Sequence, residues 1–177
     1  MASLAELIRS DIQKYADQAQ SFQGRRPGML RAIGILLTPS LISCTIHRVA
    51  HAAHQRGWKR LAWDLAGANA RLHKILIDPG ATIGPGMYIP HPVGVTFRGR
   101  AGSNLTLFVG ATVGPQEFLP FPSNSLDRCP QLGDDVAIGV HSSVLGEASI
   151  GSRVTIVPGV VVLESVGSDR LVVGRSR

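Results

Sequence analysis

Three things are scarce in this sequence. Aromatic residues make up only 5% of it, cysteine occurs twice, and 12 acidic residues face 18 Lys and Arg. With few rings the core must be built from Val, Ile, Leu and Ala, and no series of stacking faces exists for single-stranded nucleic acid. The basic surplus comes without a nucleic-acid-binding motif, so no nucleic-acid partner is expected. Cys44 and Cys129 form neither a CxxC pair nor a zinc spacing, which argues against a disulfide framework and a structural zinc site. That usage fits a reducing, cytoplasmic setting. Long apolar runs are also missing. The most apolar stretch, residues 32–46, is too short to span a bilayer and contains Pro39, so no integral membrane segment is expected. The first residues carry Glu6 and Asp11 and read as a helix rather than a signal peptide.

Glycine (20) and proline (11) are abundant, and they cluster after residue 78. The net charge of +6 favours anionic ligands, phosphorylated cofactors among them. The 177 residues divide by period. Residues 1–76 read as an N-terminal helical domain. Ser3 and Glu6 form an S-x-x-E capping box, and Leu4, Ile8, Ile12 and Tyr15 recur as one apolar stripe. The stretch 24–28, GRRPG, breaks that helix. Further helices are expected near 28–38, 40–56 and 58–74, jointed at Pro39 and Gly57.

From residue 77 to 177 the period is six. Ile77, Ile83, Ile89, Val95, Ala101, Leu107 and Val113 form one series; Leu132, Ile138, Val144, Ile150, Ile156 and Val162 form a second. Four residues after an anchor comes, in most cases, a small or apolar partner, including Ala81, Met87, Val93 and Ser142. Neither a helix nor an amphipathic strand repeats at six. Short strands separated by corners do, three to a coil, with coils stacked in parallel to form a prism. The two series are out of phase, so an excursion loop is expected at 115–131, carrying Phe118, Leu119 and Phe121.

Four segments carry a resemblance: 46–57 (IHRVAHAAHQRG), 78–94 (DPGATIGPGMYIPHPVG), 127–139 (DRCPQLGDDVAIG) and 145–166. Together they resemble the serine acetyltransferase family of hexapeptide-repeat acyltransferases, whose paralogues include exopolysaccharide sugar O-acetyltransferases. The resemblance implies a left-handed parallel β-helix preceded by an N-terminal α-helical domain. It also implies a homotrimer with active sites between prisms, extending to a dimer of trimers through the helical domain. Acetyl-CoA would be the co-substrate, and no metal is implied. His91 matches the family's general base. An alcohol is barely ionised at neutral pH, and an imidazole has the pKa needed to remove its proton. Pro90 and Pro92 restrict the backbone on either side. Arg128 matches a residue that contacts the substrate carboxylate. Cys129 stands where the family has a second histidine and would line the acceptor pocket, while a covalent role would need its thiol pKa lowered by Arg128. Asp78 is a further substrate-side candidate. Gly114, Gly139, Ser142 and Gly159 lie where the family's coenzyme groove runs.

Departures from the pattern bear on the acceptor. The family has acids at the positions of Leu76 and Pro90, and one of these helps hold serine's ammonium. An unpaired buried ammonium is costly. The expectation is therefore an acetyl-CoA-dependent O-acetyltransferase acting on a hydroxyl of a sugar or small metabolite. The alternatives are a divergent serine O-acetyltransferase and a catalytically inactive trimeric scaffold. Residues 172–177, VVGRSR, lack the family's usual terminal stretch, so docking on a cysteine synthase partner is not expected. His47, His51 and His54 share a helix face without implying a metal. His141 is expected at a solvated corner, and Arg98 and Arg100 as surface charges.

Overall fold

The structure is a computed structural model that describes residues 2–24, 29–116 and 126–174. Four helices come first: α1 (Leu4–Gln23), α2 (Met29–Leu36), α3 (Pro39–Gln55) and α4 (Lys59–His73). The Ser3–Glu6 capping box closes the start of α1, and Gly24, in the left-handed region, ends it. Thr38 caps α3, with Pro39 in its first turn, where a missing N–H costs nothing. The short Ala side chains of α4 (Ala62 and Ala66) and of α3 (Ala50 and Ala53) are buried, which allows these two helices to pack closely.

Among the described residues thirteen short strands follow, and the chain visits three parallel sheets in turn. One sheet holds β1 (Ile75–Ile77), β3 (Val95–Phe97), β6 (Thr112–Gly114), β9 (Ser143–Leu145) and β12 (Val161–Val162). The second holds β2 (Thr82–Ile83), β4 (Arg100–Ala101), β7 (Gln131–Leu132) and β10 (Ser149–Ile150); the third holds β5 (Thr106–Leu107), β8 (Ala137–Ile138), β11 (Thr155–Ile156) and β13 (Leu171–Val172). The result is a three-sided coil of parallel strands. Every six-residue anchor from Ile77 to Val162 is buried. Strand β1 begins at Ile75, ahead of the first anchor.

The register departs from the strict series at one place. Ile83 pairs with Ala101, a coil of eighteen residues. In the first sheet Ile77 pairs with Phe97, and Phe97 with Val113. The turn before Phe97 is thus two residues too long, and the corner after it two residues too short. The excess falls on the turn that contains His91, and the even spacing through Val95 conceals it. Val93, expected inside as an anchor's partner, is 55% exposed, and Phe97 fills the interior instead. Between Ala101 and Leu132 the register jumps well beyond one coil. The extra residues lie between Gly114 and Gln131, and 117–125, with Phe118, Leu119 and Phe121, fall outside the described residues.

The helices close the lower end of the stack. Arg48, buried in α3, grips the Asp11 carboxylate with Nε and Nη2, each at 2.9 Å, and donates to the carbonyls of Ile83 and Gly84. Asp11 accepts in turn from the amide of Met87 at 2.8 Å. A buried charge is tolerable only when paired and hydrogen-bonded, and this pair is both.

Candidate functional site

His91 is exposed on the over-long turn. Pro90 and Pro92 fix φ on either side of it. The amide of Val93 donates to the carbonyl of His91 at 2.9 Å, which tightens the turn. Gly94 then takes φ 68, and its amide donates to Lys74 O at 2.9 Å. Lys74, Gly94, Gly110, His141 and Gly159 all have positive φ. The last four each bond back to the coil beneath, so they run as one ridge along the prism. Gly159 is exposed, with open space where a side chain would stand, and so shares an edge with the His91 turn. His141 is exposed on that ridge, as its outward corner implies.

Asp78, Gly114, Arg128 and Cys129 lie towards the opposite edge of the same sheet, a three-residue strand away, or roughly 10 Å, whereas Gly139 and Ser142 flank His141 on the ridge side. Register stacks Asp78, Arg98 and Gly114 at the far ends of β1, β3 and β6. Asp78 Oδ2 lies 3.3 Å from Arg98 Nε, and its Oδ1 accepts from the Gly80 amide at 2.8 Å. Arg98 is therefore no free surface charge but a half-buried partner of Asp78. Arg100 approaches Asp127 at 3.8 Å, and the exposed Arg128 approaches Glu147 at 3.5 Å. Leu76 sits mid-strand on the outer face of β1, 42% exposed, beside Thr96.

Cys129 is 3% exposed beside Arg98, Asp78, Arg100 and Asp127. Burial pushes its thiol pKa up, more than the nearby guanidinium groups pull it down. Cys129 is thus a protonated wall residue rather than a thiolate.

Two coenzyme candidates prove to be parts of the prism itself. Ser142 is buried; its hydroxyl donates to Val157 O at 2.8 Å and accepts from the Val160 amide at 3.3 Å. That leaves it no side chain to offer a coenzyme. Gly139 is buried because the next coil passes over it: a Cβ there would lie 2.6 Å from Ile156 O. Gly114 is buried at the end of β6 and has room beside it, its nearest neighbour being Arg98 Cβ at 3.9 Å.

Two of the α3 histidines, His47 and His51, are wholly or partly buried. His47 is buried, and burial holds its pKa well below the usual histidine value. His51 Nδ1 lies 2.9 Å from Pro79 O, and burial lowers its pKa too. Among the described residues no cluster of His, Cys, Asp and Glu has the make-up of a metal site, and no helix is long and apolar enough to cross a membrane. The sequence pattern gave no signal for the side chains beneath the His91 turn. Tyr15 reads as one more member of an apolar stripe, yet its hydroxyl bonds both backbone groups of Ile89, at 2.9 and 3.1 Å. Ser40 Oγ donates to Pro90 O at 3.2 Å.

A helical cap on a three-sided coil, with an exposed histidine on the turn that closes its first coil, is the plan of a hexapeptide-repeat acyltransferase. No family model matches the chain. Individual relatives do. The serine acetyltransferase of Bacillus subtilis is 32% identical over 171 residues, covering 95% of this chain and 73% of the relative. That of Synechococcus elongatus is 33% identical, covering 85% of this chain and 61% of the relative. The crystal structure of serine acetyltransferase in complex with coenzyme A from Brucella abortus superposes with a TM-score of 0.78 at 25% identity, over 93% of this chain and 62% of that one. The chain belongs to the serine acetyltransferase family. It spans about three fifths of the length of the Synechococcus and Brucella proteins.

Proposed function

We propose that this protein transfers an acetyl group from acetyl-CoA to a hydroxyl, with His91 as general base. The observation that carries the reading is the exposed imidazole on a turn enlarged by two residues and bracketed by prolines. The acceptor oxygen attacks the thioester carbonyl while His91 takes its proton. The tetrahedral intermediate then collapses, the C–S bond breaks, and the imidazolium returns the proton to the leaving thiolate. The coenzyme A bound by the Brucella relative supports acetyl-CoA as donor.

The proposal includes a homotrimer of left-handed β-helices in the cytoplasm. The separation of His91 and Gly159 from Asp78, Arg128 and Cys129 on opposite edges of one sheet supports a site completed by a neighbouring prism. Two free, buried cysteines are compatible with a reducing compartment.

Serine is the acceptor that the relatives' names favour over a sugar. A second reading, an acceptor without an ammonium group, draws on Leu76 and Pro90, which supply no carboxylate beside the turn. Thiol release from acetyl-CoA, followed over serine, homoserine and a set of sugars, separates the two. His91→Ala should lower turnover by about 10²–10⁴. No thiol release with any of these acceptors would leave an inactive scaffold.

A further inference from the structure

We infer that Tyr15 and Ser40 are positioning residues that aim His91, so that the helical domain sets the geometry of the catalytic turn. The inference rests on His91 being the general base and adds what holds it. In a coil stack each strand's backbone pairs with the coil above and the coil below. The first coil has no coil beneath it. Above, Tyr88 and Ile89 are paired normally, through Tyr88 N to Leu105 O and beside Leu107. Below, the partners are helical side chains.

Tyr15 does the work of the missing coil at Ile89 with one atom. Its hydroxyl donates to Ile89 O at 2.9 Å and accepts from Ile89 N at 3.1 Å. The ring is buried and meets Tyr88 edge-on, with centroids 4.7 Å apart, so the hydroxyl cannot swing away. Ser40, in the first turn of α3, donates to Pro90 O, the carbonyl immediately before His91. On the other side of the turn, Gly94 is tied to Lys74 O just after α4. Between these ties the two prolines remove most remaining backbone freedom. His91 therefore takes its direction from α1 and α3, although neither helix contributes a reacting group. A misplacement of about 1 Å at a reacting group costs up to roughly a hundredfold in rate.

The test combines ring signals with turnover. Protein carrying ¹³C-labelled histidine is prepared as wild type, Tyr15→Phe, Ser40→Ala and Ser40→Thr, with His91→Ala used to assign the His91 signal. Both Tyr15→Phe and Ser40→Ala should shift or broaden the His91 ring signal and leave that of His141 unchanged. With acetyl-CoA and L-serine, kcat should fall roughly tenfold to a hundredfold at unchanged KM for acetyl-CoA, and Ser40→Thr should restore both readouts. An unchanged His91 signal in Tyr15→Phe overturns the inference. So does an equal disturbance of every histidine with a lowered Tm, which would mark a general structural role. Full turnover in His91→Ala would sink the general-base reading instead, and the ring signals would still decide whether the helices hold the turn.

Discussion

The thiol of Cys129 lies near Arg98 and Arg100, which favour a thiolate, and near Asp78 and Asp127, which oppose one; burial decides against ionisation. Cys129→Ala should keep most of the transferase activity, and iodoacetamide should modify the wild-type thiol slowly at neutral pH; both are read by thiol-release assay and mass spectrometry. His47 supplies a pH prediction. Burial lowers its folded pKa below the unfolded value near 6.5, so below that pH the unfolded chain binds the extra proton. Its contribution to stability is full above about pH 6.5 and is lost as pH falls towards the lower folded value. Urea titrations between about pH 7 and 5 should show stability falling with a slope of up to about 1.4 kcal/mol per pH unit, reduced in His47→Gln. His51, lowered in the same direction, adds to the slope.

At the scale of elements, the joint between α1, α3 and the first coil rests on a buried ion pair. Arg48→Met would leave the Asp11 carboxylate buried and unpaired, and should cost about 3–5 kcal/mol in equilibrium unfolding. Gly139→Ala would push a methyl group against the carbonyl of Ile156 and should cost about 1–3 kcal/mol, since the coil above cannot move without breaking its ladder. The helices and strands could be read from the sequence because each has its own period, and the buried anchors follow that period closely. The His91 turn could not be sized that way. Two residues added before Phe97 are offset by two removed after it, so Val95 kept the count while Phe97 took the interior place. Tyr15 escaped for a different reason: its ring satisfies an apolar stripe, and nothing in a pattern of residue types says where its hydroxyl ends.

Across the whole molecule, each coil is held only by its neighbours, and the two ends differ. Among the described residues, the first coil is bound by helical side chains from Pro79 to Pro90, whereas β12 pairs with β9 alone and β13 with β11 alone. Amide hydrogen exchange should therefore be slowest in β1 and β3 and fastest in β13. The division of candidate residues between two edges also lay beyond the sequence, because spacing tells which residues share a corner only when every coil has the same length. Of the described coils, those farthest from the helices can loosen first, like a zipper opening away from its clasp. The histidine sits beside the clasp, so wear, unravelling or a changed number of turns at the other extremity would reach it last.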